Sequence, residues 1–212
     1  MSDLDATQQP RAVHPPPPPA GPRIARQRVA QPHGWWGMVL FLCSEATIFG
    51  SLIGTYYYLD FHVAHWPPIW IEPPKITASA AATGGLILTT PMLWAAVRAA
   101  RRAARGQAMA WVAFAFCVQA AYLGVQIVLF TNDLNTFTPH GSAYGSIYFT
   151  LLAAHHAHVL VGLILDLGIL WKLWRHGLDR YWMIGLRGLA LYWYVVNALA
   201  VLVVVTVLSP SF

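Results

Sequence analysis

The stretch LRGLALYWYVVNALAVLVVVTVL, residues 186–208, carries no charged side chain after Arg187. A helix needs roughly 20 predominantly apolar residues to cross the hydrocarbon of a bilayer, and this stretch supplies them without interruption. The same pattern recurs upstream at about 36–58, 77–97, 109–131 and 144–172. Inside hydrocarbon only helices and closed barrels satisfy every backbone polar group. The sequence therefore predicts an all-α integral membrane protein, a bundle of five transmembrane helices. Composition points the same way: of 212 residues, 57% are apolar and 10% charged, under half the roughly 25% of a soluble domain. The net charge of +5 is small for a nucleic-acid-binding face, and the hydrophobicity argues against disorder in the body of the chain.

Charge in the connecting segments predicts an orientation. Arg11, Arg23, Arg26 and Arg28 precede the first span; Arg98, Arg101, Arg102 and Arg105 follow the second; Lys172, Arg175, Arg180 and Arg187 separate the fourth and fifth. Only Lys75 falls on the other side, so a five-span arrangement puts 12 of 13 cations on one face. Cytoplasmic loops carry that excess, which predicts a cytoplasmic N-terminus and a periplasmic C-terminus. Residues 1–34, with five consecutive prolines at 15–19, read as a disordered Pro/Arg-rich cytoplasmic tail, and residues 35–212 as the transmembrane domain. The opening Met1-Ser2-Asp3-Leu4-Asp5 lacks the basic-then-apolar order of a cleaved signal peptide. Cys43 and Cys117 both lie in apolar runs, so no disulfide framework is expected.

The chemistry-bearing candidates are the polar residues inside the spans. Glu45 and Asp166 are acids at membrane depth, where an ionisable group is costly and a functional candidate by default. Glu45 reads either as a proton-handling or lipid-contacting carboxyl or as a protonated acid bonded to a neighbouring helix. Gly50 and Gly54 form a small-xxx-small pair suited to close helix packing. In the fourth span, His155, His158, Gly162 and Asp166 fall on one helical face, with His156 turned away. Three histidines suggest a metal or haem, yet no other predicted span contains a histidine to face them. A pair of imidazoles is too few ligands, so interhelical hydrogen bonding is the preferred reading and no metal site is assigned. Gln119, Tyr122 and Gln126 stack on one face of the third span, and Tyr192, Trp193, Tyr194 and Asn197 sit together in the fifth. No catalytic residue is assigned.

Several motifs occur in order along residues 36–208. Trp36-Gly37-Met38-Val39-Leu40-Phe41-Leu42-Cys43-Ser44-Glu45 resembles the GMxLFxxSE stretch of subunit III of the haem–copper terminal oxidases. Trp66-Pro67-Pro68 is similar to that family's WPP loop, and Gln126 matches its third-span glutamine. Ser142-Ala143-Tyr144-Gly145-Ser146 and His155-His156-Ala157-His158-Val159-Leu160-Val161-Gly162 resemble its SxYGS and HGxHVxxG pair. The chain departs from the pattern where Leu129 and Phe130 stand for Glu-Tyr, and where Tyr192-Trp193-Tyr194-Val195-Val196-Asn197 stands for YWHFVD. The resemblance implies the five-helix form found in several bacterial members, without the first two helices of the seven-helix form.

The resemblance implies a non-catalytic subunit that binds no haem or copper itself. It would pack on subunit I beside subunit II, hold phospholipid between helices and support proton uptake. The complex, with haem and copper in its partner subunits, would reduce oxygen in the bacterial cytoplasmic membrane, either alone or within a larger respiratory supercomplex. Glu45, His155, His158, Asp166 and Gln126 would be internal polar or lipid contacts, and Gly50, Gly54 and Gly162 packing positions. Two other readings stand beside it: a subunit III-like accessory protein of a nitric oxide reductase, which the missing Glu-Tyr and HFVD residues keep open, and a small proton-coupled transporter using Glu45 and Asp166.

Overall fold

A computed structural model describes residues 33–71, 76–176 and 180–208. The predicted tail lies outside the described residues up to position 32. The described residues form six helices: α1 (His33–His62), α2 (Ile76–Ile87), α3 (Thr89–Arg101), α4 (Arg105–Thr136), α5 (Ala143–His176) and α6 (Arg180–Leu208). They make five spans long and apolar enough to cross a membrane, since α2 and α3 are two halves of one crossing, Thr77–Arg101. Four of the helices run from 29 to 34 residues, longer than the apolar runs alone, because backbone hydrogen bonding carries each helix beyond the hydrocarbon into its polar ends.

The second crossing is broken where the sequence reading drew one continuous span. Pro91 has no N–H to give Ile87, and proline inside a helix removes that bond and crowds the preceding turn. Gly84 and Gly85 lie just before the break, and the Leu88 N–H reaches the Gly84 carbonyl at a stretched 3.4 Å. The Leu86 carbonyl, one residue before the one that Pro91 leaves without a donor, takes side-chain hydrogen bonds. The Thr89 hydroxyl donates to the Leu86 carbonyl at 2.7 Å, and the Asn197 amide of α6 reaches the same oxygen at 3.3 Å.

The α3–α4 turn is a Schellman motif. The Ala104 N–H bonds the Ala99 carbonyl at 3.1 Å and the Ala103 N–H bonds that of Ala100 at 3.0 Å. Its left-handed position, normally glycine, is Ala103, at φ 58°.

The helices touch in a closed order, α1–α5–α4–α2/α3–α6 and back to α1, with α5 also against α6 across the ring. Of the five crossings, α6 is the most buried and α1 the least. One part of the interior is mostly aliphatic, with Leu86, Leu93, Val112, Val159 and Leu186 packed with the Trp193 indole. At the end holding the α1–α2 and α4–α5 connections the interior is aromatic, built from Tyr56, Phe137, Tyr144, Tyr148 and Phe149 with Trp66 against them. Both cysteines are free and exposed.

Candidate functional site

The interior polar groups do not form one centre; they join neighbouring crossings pair by pair. On α5, Ala154 precedes His158 by one turn, and its carbonyl lies 2.7 Å from His158 Nδ1. A carbonyl only accepts, so Nδ1 carries a hydrogen. The other ring nitrogen, Nε2, lies 2.7 Å from Glu45 Oε2 on α1. One proton is therefore shared between Nε2 and Oε2, as imidazolium–carboxylate or as imidazole–carboxylic acid, and the pair is net neutral in both forms. Its side chains are only 19% and 16% exposed, a depth at which net charge would be expensive. The Phe49 ring meets the imidazole edge-on at 5.2 Å, and the Tyr192 hydroxyl of α6 donates to the His158 carbonyl at 2.8 Å. Three helices thus converge on His158.

His155 faces a different neighbour. Three residues back along the helix is a rotation of about 60°, enough to turn it from α1 towards α4, where Tyr122 Oη lies 3.1 Å from its Nε2. His155 is buried, and its Nδ1 has no partner among the described residues. Gln126, one turn from Tyr122, donates to Ser79 Oγ of α2 at 3.2 Å. His156, expected off the face that His155 and His158 share, is partly exposed and meets the Phe130 ring of α4 at 5.6 Å.

Asp166 is fully buried. Its Oδ2 accepts the Trp193 indole N–H of α6 at 3.1 Å and, with the Gln119 amide nitrogen turned towards it, a second N–H from α4 at 2.9 Å. That orientation also lets Gln119 donate to the Ala115 carbonyl at 3.0 Å. Gly162, one turn before Asp166, explains how the indole comes so close: a Cβ there would stand 2.5 Å from Trp193 Cζ2. Gly50 and Gly54 differ, since a Cβ on either would meet nothing within 4 Å. Among the described residues that pair touches no neighbouring helix.

Some partners escaped the sequence reading. Asn197 Nδ2 donates towards Thr90 Oγ1 at 2.9 Å and Thr89 Oγ1 at 3.1 Å, besides Leu86 O. Asp133 lies past the predicted end of the third span, where the Tyr148 hydroxyl donates to its Oδ2 at 2.6 Å. The usable signals were Thr89-Thr90-Pro91 inside one apolar run and an acid two residues beyond the end of another. Phe130, where the resemblance expects tyrosine, packs on Phe149 at 5.3 Å. Among the described residues no three His, Cys, Asp or Glu side chains gather where a metal could be held. The arrangement can share or pass protons within neutral hydrogen bonds and lock helices together.

Comparison with known proteins gives one family: the model of cytochrome c oxidase subunit III matches residues 27–210. The chain is 30% identical over 164 residues to cytochrome bo(3) ubiquinol oxidase subunit 3 of Pseudomonas aeruginosa, covering 76% of each chain. It is 28% identical over 172 residues to cytochrome c oxidase subunit 3 of Bacillus subtilis, covering 80% of this chain and 81% of the relative. Against cytochrome c oxidase subunit 3 of Neurospora crassa it is 26% identical over 172 residues, covering 76% of this chain and 61% of that longer relative.

Proposed function

The chain belongs to the cytochrome c oxidase subunit III family, and from that premise we propose how it serves the oxidase. It is a multi-pass membrane protein and the subunit III of a haem–copper oxidase. In our reading it works as a redox-inert scaffold beside subunits I and II in a bacterial cytoplasmic membrane. It stabilises subunit I, holds phospholipid between helices and supports proton uptake by a proton-pumping complex. The haem and copper belong to the partner subunits. The observation that carries this is the chemistry of the interior. Its polar groups are spent on contacts between crossings, as with Glu45–His158 and Asp166–Trp193, and none is grouped as a redox centre among the described residues. A transporter reading needs Glu45 and Asp166 on one path; they bond to different helices, α5 for Glu45 and α4 and α6 for Asp166.

The test is gentle purification through a tag on this chain. We expect catalytic oxidase subunits to co-purify with a haem spectrum, and the separated chain to be free of iron and copper. Recovery without a catalytic subunit, or stoichiometric metal on the separated chain, would overturn the reading. Orientation is tested by fusion after Phe212, where a periplasm-dependent reporter should be active and a cytoplasm-dependent one silent.

A further inference from the structure

Four arginines lie within eight residues at the α3–α4 turn: Arg98, Arg101, Arg102 and Arg105, all exposed. Two have work inside the chain. Arg98 stacks over the Trp94 ring at 5.1 Å, and Arg105 donates to the Trp174 carbonyl near the end of α5. The side chains of Arg101 and Arg102 have no hydrogen bond or ion pair among the described residues. The only acid described towards this end of the bundle is Asp166, fully buried and bonded to Trp193. Lys172 and Arg175, near the end of α5, add to the same field.

Depth identifies what this cluster meets. Trp94 lies seven residues before Arg101 on α3, and Trp111 six after Arg105 on α4. At about 1.5 Å per residue both indoles stand about 10 Å below the turn, on neighbouring antiparallel helices, and both are exposed, at 55% and 40%. Exposed indoles on a membrane helix settle at the boundary between acyl chains and headgroups. Arg98 is then one turn further out, and Arg101 and Arg102 about two, within the layer of lipid phosphates. A guanidinium fork matches a phosphodiester with two parallel hydrogen bonds, and a basic cluster directly beyond a membrane helix attracts anionic lipid.

We propose that the α3–α4 turn is a binding site for an anionic phospholipid, with Arg101 and Arg102 holding the phosphate and Trp94 and Trp111 flanking the top of the acyl chains. The proposal rests on the chain lying in a bilayer and not on its place in an oxidase. The lateral field of Arg98 and Arg105 strengthens the site, but both are partly engaged, so the discriminating charges are the two at the tip.

The test uses the complex purified through this chain and reconstituted in phosphatidylcholine vesicles with and without phosphatidylglycerol, followed by mass spectrometry of retained lipid. The wild type should retain phosphatidylglycerol in preference to phosphatidylcholine, less so as salt rises. Arg101→Gln with Arg102→Gln should lower that preference by about thirtyfold, and the Arg→Lys pair should keep most of it. Unchanged preference in the Gln pair would overturn the proposal. So would release of the lipid by excess inorganic phosphate, which would mark a site for soluble anions, or loss of another subunit from the Gln pair, which would mark an acidic protein partner. Purification without oxidase subunits would count against the oxidase reading and leave this test in place.

Discussion

Replacing Gly162 by alanine should loosen the α5–α6 contact through a single hydrogen bond. The added methyl would stand 2.5 Å from Trp193 Cζ2 and 2.9 Å from Cε2 and Cη2. Carbon atoms rest at about 3.5 Å or more, so the indole must withdraw by about 1 Å. Its N–H bond to Asp166 is 3.1 Å long, towards the far end of the useful range, and the same withdrawal takes it to about 4 Å, where no hydrogen bond remains. Asp166 then keeps only the Gln119 donor, at 2.9 Å. Overpacking costs about 1–3 kcal/mol, and a lost interhelical bond in a membrane bundle about 0.6–1.7 kcal/mol, giving about 2–5 kcal/mol together. Trp193→Phe alone removes the donor and opens a gap, with a cost of similar size. The double variant places the new methyl in that gap, so its cost should fall short of the sum by about 1–2 kcal/mol. Loss of packed structure on titration with a denaturing detergent measures all four proteins. A cost below about 0.5 kcal/mol for Gly162→Ala, or an additive double variant, would refute the packing argument.

The remaining predictions concern three other contacts. Ala103→Gly relieves a left-handed alanine and should raise stability by about 1 kcal/mol, read as a higher melting temperature of the purified complex; Ala103→Val should lower it. Asn197→Asp replaces an amide donor facing Leu86 O, Thr89 Oγ1 and Thr90 Oγ1 with an acceptor, leaving the break in the second crossing short of a donor. We expect a loss of about 1–3 kcal/mol in the same melting assay, with Asn197→Gln nearer the wild type. Glu45→Gln keeps a neutral partner for His158, so the complex should assemble and its initial oxygen-reduction rate should change little. Glu45→Lys, an obligate cation costing about 3 kcal/mol at membrane depth, should drop the chain from the complex, seen in subunit composition, while the remainder loses activity faster over many turnovers.

The five crossings were legible because each is a run of apolar residues long enough for one bilayer, a property of local composition. The break at Leu88 was not. Pro91 signals a lost bond, but whether the helix stops depends on donors from elsewhere, and Asn197 arrives from a residue more than a hundred positions away. The same division holds in the polar interior. Helical spacing placed His155, His158 and Asp166 near one another on α5. It could not tell that the 60° between the two histidines separates α4 from α1, nor that Phe130 would cover His156. Gly162 and the Gly50–Gly54 pair look alike in the sequence. Only the position of Trp193 distinguishes a glycine that admits an indole from two that meet nothing among the described residues.

The protonation logic of the Glu45–His158 contact connects this interior to its role. Because Ala154 O fixes the hydrogen on Nδ1, the proton between Nε2 and Oε2 can sit on either side without changing the pair's total charge. A neutral pair can lie half-buried at membrane depth without a counter-ion, which a lone Glu45 or a lone imidazolium could not do cheaply. Asp166 is held differently, by two neutral N–H donors from separate helices that converge on one carboxyl oxygen. A partner subunit approaching α1, the least buried crossing, would meet Glu45 already matched to His158. Its catalytic electrostatics would be left undisturbed, as the scaffold role proposed above requires. The Glu45→Gln and Glu45→Lys pair separates this from a proton path. If Glu45→Gln abolished the initial rate in a fully assembled complex, the proton shared with His158 would have to be one that turnover consumes, and the matched-pair account would fail.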